Sequence, residues 1–244
     1  MHLNSQLLFD RYVLPQLRSG QRVLEVGPDA VPSAYQRSSA TALGSGTLDW
    51  STADLASEVG ADGRRRWGGG SAGQLTLVTD DPEAIPAPSD HFDVVVSGQV
   101  IEHVSRPWRW LPELARVCRP GGLVVTIAPV SWPYHEAPQD CWRIYPAGMA
   151  ALAAEADLTV EVCRWESLEP RPPHWYPGRS NEPAPTRRQE WWRKAKAVAG
   201  WPLPVAFDTV LVARKPARPG SGGPSASEVS AAAPPPPPHG SGDR

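Results

Sequence analysis

Cysteine is scarce: Cys118, Cys141 and Cys163 are the only three in 244 residues. They are odd in number, widely separated and never spaced as CxxC, which excludes a disulfide framework and a zinc knuckle. Buried or inert thiols in a reducing compartment are expected instead. An excess of positive charge is also missing, since 24 Lys and Arg against 26 Asp and Glu leave a net charge of −2. That balance offers no global basic field to wrap a long nucleic acid, although a local basic patch remains open. No apolar run is long enough to span a bilayer, and the first twenty residues lack a basic region leading into an apolar core. A cytoplasmic chain without a membrane anchor is therefore expected. The turn "GPDAVP" holds no GxGxxG, so the pyrophosphate cradle of a nicotinamide-dependent oxidoreductase is absent.

What the chain does have is a succession of short apolar runs separated by helix-length connections. They are "RVLEV" (22–26), "GTLDW" (46–50), "QLTLV" (74–78), "FDVVV" (92–96) and "GLVVTIA" (122–128). Runs apolar on both faces predict parallel strands covered by helices on each side, a doubly wound α/β sheet in one domain of residues 1–216. An amphipathic helix is expected ahead of the first strand over 4–17. The glycine-rich stretch 60–73 reads as a loop. A proline-started helix over 145–158 precedes two late strands, "LTVEVCRWES" and "VAFDTVLVARK". With no long helix between those strands, at least one must run antiparallel at the sheet's end, giving seven mostly parallel strands in all. Residues 168–204, rich in Pro, Trp and Arg, form an insertion read as a lid. The segment 217–244, with its polyproline run and no aromatic residue, has too little to bury and is expected to be disordered.

In such a sheet, ligands bind outside the carboxyl ends of the strands. Glu25 closes the first strand and Gly27 allows close approach of a ligand to the turn, while Asp49 closes the second run and Asp80 follows the third. Acids gathered on one edge suit a nucleoside ligand that is also cationic. The segments "VLEVGPD", "TLDW", "TDDPEAIPAPSDHFDVVVSGQVIEHV" and "ELARVCRPGGLVVTIAP" together resemble the class I S-adenosylmethionine-dependent methyltransferases, specifically the methyltransferase type 11 group, over about residues 10–158. The resemblance implies a Rossmann-like fold and S-adenosylmethionine as cofactor. It places Glu25 and Gly27 near the methionine part, Asp49 on the ribose hydroxyls, Asp80 near the adenine amine, and Ser97 and Gln99 beside the methionyl and sulfonium end. Asp29 stands where the family often carries a second glycine.

Two segments compete for the chemistry. "SWPYHEAPQDCWRIYP", after the fifth strand, resembles an element of type 11 enzymes associated with sugar, glycan or natural-product methylation. In it His135, oriented by Asp140, is the first candidate base, with Trp132, Tyr134, Trp142, Arg143 and Tyr145 as substrate contacts. "GQVIEHV" is the rival, because a helix begun near Gln99 puts Gln99, Glu102 and His103 on one face, with His103 as second candidate base. A similar ExxEH supplies metal ligands in ubiquinone-biosynthesis O-methyltransferases and small-RNA 2′-O-methyltransferases. Here the neutral amide of Gln99 is a poor ligand for a hard cation, so no metal site is assigned, and one would need His135 or Asp140 to complete it.

The resemblance thus points to methylation of a hydroxyl on a small polar natural product, sugar or nucleoside-type substrate, with N- or C-methylation of a small molecule left open. No Asn/Asp-Pro-Pro-Tyr/Phe follows the fourth strand, where "SGQV" stands, which disfavours a methylase of exocyclic base amines. A metal-assisted RNA 2′-O-methyltransferase and a non-catalytic scaffold of the same fold stay open as alternatives. The basic insertion contains no nucleic-acid-binding module, and nucleic acid is not the expected partner.

Overall fold

The computed structural model describes residues 3–58, 75–136, 139–178 and 186–217. Among these residues there are nine strands: β1 Arg22–Val26, β2 Asp49–Leu55, β3 Leu77–Thr79, β4 Phe92–Gly98, β5 Cys118–Pro129, β6 Thr159–Glu166, β7 Trp175–Pro177, β8 Leu203–Val205 and β9 Asp208–Arg214. The helices are α1 Leu3–Tyr12, α2 Ala34–Leu43, α3 Pro107–Val117, α4 Pro146–Glu155 and α5 Arg187–Val198. Seven strands make one sheet in the order β3-β2-β1-β4-β5-β9-β6, and β7 pairs with β8 in a separate ribbon. β1 to β5 run parallel, whereas β9 is antiparallel to both of its neighbours. The expected antiparallel strand is therefore the last in the chain, but it lies one place inside the edge rather than at the sheet's end.

Strands apolar on both faces follow from the two helical layers. Val94, Val96, Val125, Ile127, Val210 and Val212 pack with Leu8, Phe9 and Tyr35 on the α1 and α2 side. Their sequence neighbours Val95, Val124 and Leu211 pack with Trp110, Leu114 and Met149 of α3 and α4 on the other. Adjacent side chains on a strand point to opposite faces, so both faces of the central strands are lined mainly by apolar residues.

Three elements differ from the sequence reading. α1 stops at Tyr12, and the chain tightens to a 3₁₀ turn over Leu14–Gln16 because Pro15 has no N–H to continue the helical ladder. β2 starts at Asp49 rather than 46, since Gly44 and Gly46 take φ of 97° and 77° and turn the backbone there. The strand then runs on to Leu55, with Ala53 opposite Val26. β3 is only three residues long, and the glycine-rich loop assigned to 60–73 lies outside the described residues, as does the tail beyond 217. All three cysteines are free; Cys118 is buried, and burial pushes its thiol up to about 12.

The amino edge of the sheet is fastened by Asp93. Its carboxylate accepts from the Arg22 backbone N–H at 2.7 Å and from Arg119 Nε at 2.5 Å, tying β1, β4 and β5 together. Burial alone would raise this carboxyl, yet these donors hold it below its ordinary value. A depressed folded-state pKa stabilises above the unfolded value and is lost as pH falls through the folded one. We expect Asp93→Asn to cost about 1–2 kcal/mol in urea unfolding at pH 7, with the gap from wild type closing below about pH 4.

Candidate active site

The carboxyl ends of β1 to β4 surround a cavity of about 320 Å³ whose walls include Gly27, Asp54, Asp80, Ile85, Val100 and His103. Gly27 follows β1 with φ 69°, and a Cβ there would lie 2.3 Å from Cγ2 of Val100. Only glycine lets the turn pass beneath that side chain. Gly27→Ala should strain the turn and push the stiff, branched Val100 into the cavity. We expect at least about tenfold weaker ligand binding in calorimetry and a lowered melting midpoint.

The acid at the end of the second strand is not the one read from the sequence. Asp49 pairs with Arg22 at the opposite, amino edge and is exposed. The later start of β2 places Asp54, 8% exposed, at the carboxyl edge beside Gly27. Asp80 is on that edge as expected. Glu25 is also differently employed: it is 1% exposed, and its Oε2 accepts from Ser33 Oγ at 2.5 Å and Trp50 Nε1 at 3.0 Å. It braces β1 against α2 and β2 rather than facing a ligand. Asp29 Oδ1 accepts from the Ala34 N–H at 3.1 Å, so its charge meets the amino end of α2. Ser97 is fully buried within β4 and is not among the residues that line the cavity.

Gln99 follows β4 in the left-handed region, at φ 61°, and its N–H donates to the Ile127 carbonyl at 2.8 Å. The amide Nε2 donates to Asp208 Oδ1 at 3.2 Å, and Asn4 Nδ2 donates to Asp208 Oδ2 at 2.6 Å. Asn4 and Asp208 are wholly buried, linking α1, β4 and β9 at this corner. The helical face expected for Gln99, Glu102 and His103 does not form. Ile101–His103 is a single 3₁₀ turn, so Gln99 looks toward β9 while Glu102 and His103 face the loop after β5.

That loop is sewn onto the turn. Gln139 Nε2 donates to the His103 carbonyl at 2.8 Å, His103 Nδ1 meets the Gln139 carbonyl at 2.5 Å, and the Cys141 N–H donates to the Glu102 carbonyl at 2.7 Å. Trp142 Nε1 adds a bond to the Val104 carbonyl at 2.8 Å. These contacts bring His135 to His103, ring centroids 5.0 Å apart and edge to face. Both candidate bases thus belong to one site. Asp140 accepts the His135 backbone N–H at 2.8 Å, lies 3.4 Å from its Nδ1, and is gripped by Arg143 through bonds of 2.5 and 2.6 Å. The Arg143 guanidinium holds the Asp140 carboxyl down at about 2. Burial pushes Glu102 up to about 8 and lowers His103.

Around this centre Tyr134 and Tyr145 are 72% and 58% exposed, and Trp142 is turned edge-on to Trp108. Arg143 Nε donates to the Trp132 carbonyl at 3.2 Å. Tyr145 leads into an aromatic run of Trp165, Phe207 and Trp175, over which Arg171 lies 5.0 Å from the Trp175 ring. In the insertion, α5 has no buried residue.

Sequence reasoning missed Asp54, Asp208, Asn4 and Gln139. "STADLA" offered a signal for Asp54, an acid following two small residues of a buried strand. The others depend on distant pairings with no local signature.

Residues 37–126 match the family model of a methyltransferase domain. An uncharacterized methyltransferase of Mycolicibacterium vanbaalenii is 48% identical over 50 residues, 20% of each chain. Another, from Mycobacterium ulcerans, is 42% identical over 55 residues, 22% of each chain. These alignments span only about a fifth of the relatives' length. A solved SAM-dependent methyltransferase from Archaeoglobus fulgidus shares the fold with a TM-score of 0.52 at 14% identity, covering 86% of this chain and 92% of that one. One from Methanosarcina mazei gives 0.50 at 11% identity over 85% and 99%. The strand order is that of these solved structures, so the chain has the fold of the SAM-dependent methyltransferases, and its residues 37–126 are similar to the methyltransferase-domain family.

Proposed function

We propose that the chain methylates a hydroxyl of a small polar acceptor, such as a sugar, a nucleoside-type compound or another natural product. The observation that carries the reading is the cavity that begins at Gly27, Asp54 and Asp80 and ends at His103, against which His135 rests. One end suits a nucleoside and the other a proton transfer. The residues present fit S-adenosylmethionine: a turn that a Cβ would obstruct, a buried acid at the end of β2 to take the ribose diol, and Asp80 for the adenine amine. When bound, that cofactor supplies an electrophilic methyl group on a sulfonium.

The chain's own residues then have two tasks. Alignment falls to the Gln99 corner, which Asp208 and Asn4 hold in a strained backbone conformation. Taking the hydroxyl proton falls to His135, with His103 beside it, because an imidazole works as a base near neutral pH. Trp132, Tyr134, Trp142, Arg143 and Tyr145 offer rings and a guanidinium to a polar acceptor. In this reading residues 1–216 act as one domain and 168–204 cover the acceptor.

The test is calorimetric titration with S-adenosylmethionine followed by S-adenosylhomocysteine release against a panel of hydroxylated metabolites. Micromolar cofactor binding with turnover on a polar hydroxyl is expected. Absence of cofactor binding would sink the reading, and binding without turnover on any acceptor would favour the scaffold alternative.

A further inference from the structure

We infer that Glu102, His103 and His135 form a binding site for a divalent transition-metal cation. One ligand atom from each lies within 4.8 Å of the other two, with Glu102 Oε1 3.6 Å from His103 Nε2. The sequence alone argued against such a site because Gln99 stood where a third ligand was needed. In the fold Gln99 is turned to Asp208, and the third ligand arrives from the loop after β5 as His135.

Two independent observations show a built site rather than a chance meeting of side chains. Glu102 is 1% exposed, and neither of its carboxylate oxygens has a hydrogen-bond partner from another described residue. Both oxygens are therefore placed to take a ligand bond, and a cation is a partner that would offset the cost of burying them. The histidines, in turn, are already oriented from behind. His103 Nδ1 faces the Gln139 carbonyl at 2.5 Å, while His135 Nδ1 faces the Pro133 carbonyl at 3.2 Å and Asp140 Oδ2 at 3.4 Å. Both Nδ1 atoms face only acceptors, so each carries its proton there and leaves the Nε2 lone pair for a ligand bond. Asp140, locked by Arg143, supplies the carboxylate behind an imidazole that metal-ligating histidines commonly have.

The donor set names the class of ion. Two imidazoles and one carboxylate suit Mn²⁺, Fe²⁺, Co²⁺ or Zn²⁺ better than Mg²⁺ or Ca²⁺, which prefer oxygen throughout. Three protein ligands leave coordination positions open for an exogenous oxygen. The cation's role rests on the function proposed above, and it refines the proton step. An acceptor hydroxyl bound to the cation loses its O–H proton to solvent as the oxygen–metal bond forms, and no electron is transferred. The cation then takes over from the free imidazole in activating the oxygen.

Co²⁺ titration of the chelator-stripped full-length protein tests the site by visible absorption and equilibrium dialysis. One Co²⁺ per chain is expected, with affinity at least about 100-fold weaker in His135→Ala and in Glu102→Gln. Because Glu102 is buried, His135→Ala on the half-exposed loop is the decisive variant, with its circular dichroism melt confirming the fold. Binding weaker than about 1 mM, or unchanged in His135→Ala, overturns the inference. S-adenosylmethionine titration of the same samples separates the two readings. Cofactor binding without Co²⁺ binding removes the metal site alone, whereas Co²⁺ binding without cofactor binding removes the methyltransferase reading and leaves the site.

Discussion

Asp54→Ala is expected to weaken S-adenosylmethionine binding about 100-fold, while Asp49→Ala changes it less than about twofold. Asp54 is buried at the carboxyl edge against the Gly27 turn, whereas Asp49 is exposed at the amino edge beside Arg22. A carboxylate that accepts from a ribose diol loses charge-assisted bonds when truncated, each worth about 1.5–3 kcal/mol, and 100-fold corresponds to about 2.7 kcal/mol. Titration calorimetry on the two variants reads the difference directly. Equal losses, or a loss confined to Asp49→Ala, would mean that β2 has a different register when the cofactor is bound.

His135→Ala should lower kcat by about 10²–10⁴ with the KM for S-adenosylmethionine nearly unchanged, the range for loss of a group that activates the acceptor oxygen, whether as its base or as a ligand of the inferred cation. The split follows from position. In the proposed reading His135 is on the acceptor side: it is attached through Asp140 and Arg143 to its own loop and does not line the cavity at the carboxyl ends of the strands. Steady-state kinetics on an acceptor found by the metabolite panel would show it. A variant that kept its kcat and lost cofactor affinity would place His135 on the donor side and refute the assignment.

The fold was legible because its signal is short-range and repeated. Each of the runs 22–26, 92–96 and 122–128 is largely apolar on both faces, and strands covered by a helical layer on each side satisfy that pattern. The error at β2 was a matter of backbone conformation. "GTLDW" has strand composition, but left-handed glycines at 44 and 46 spend its first residues on a turn, which moved the edge acid from Asp49 to Asp54. The site was harder. His135 and Asp140 could be named from one loop, yet the meeting of His135 with His103 depends on Gln139 and Trp142 bonding to the carbonyls of His103 and Val104. Nothing local in either segment encodes those bonds. Glu25 was read correctly as an acid at a strand end, but Ser33 and Trp50 claim it first, and their approach is a property of the packed sheet.

The position of β9 has a consequence for the order in which the molecule is made. β6 is joined to the rest of the sheet only through β9, which pairs with β5 on its other side. A chain emerging from the ribosome can assemble the parallel half as soon as residue 129 is out. β6 then waits without a partner until residues 208–214 slide between it and β5. The buried Asn4–Asp208–Gln99 corner closes in the same event, because Asp208 belongs to that last strand of the sheet.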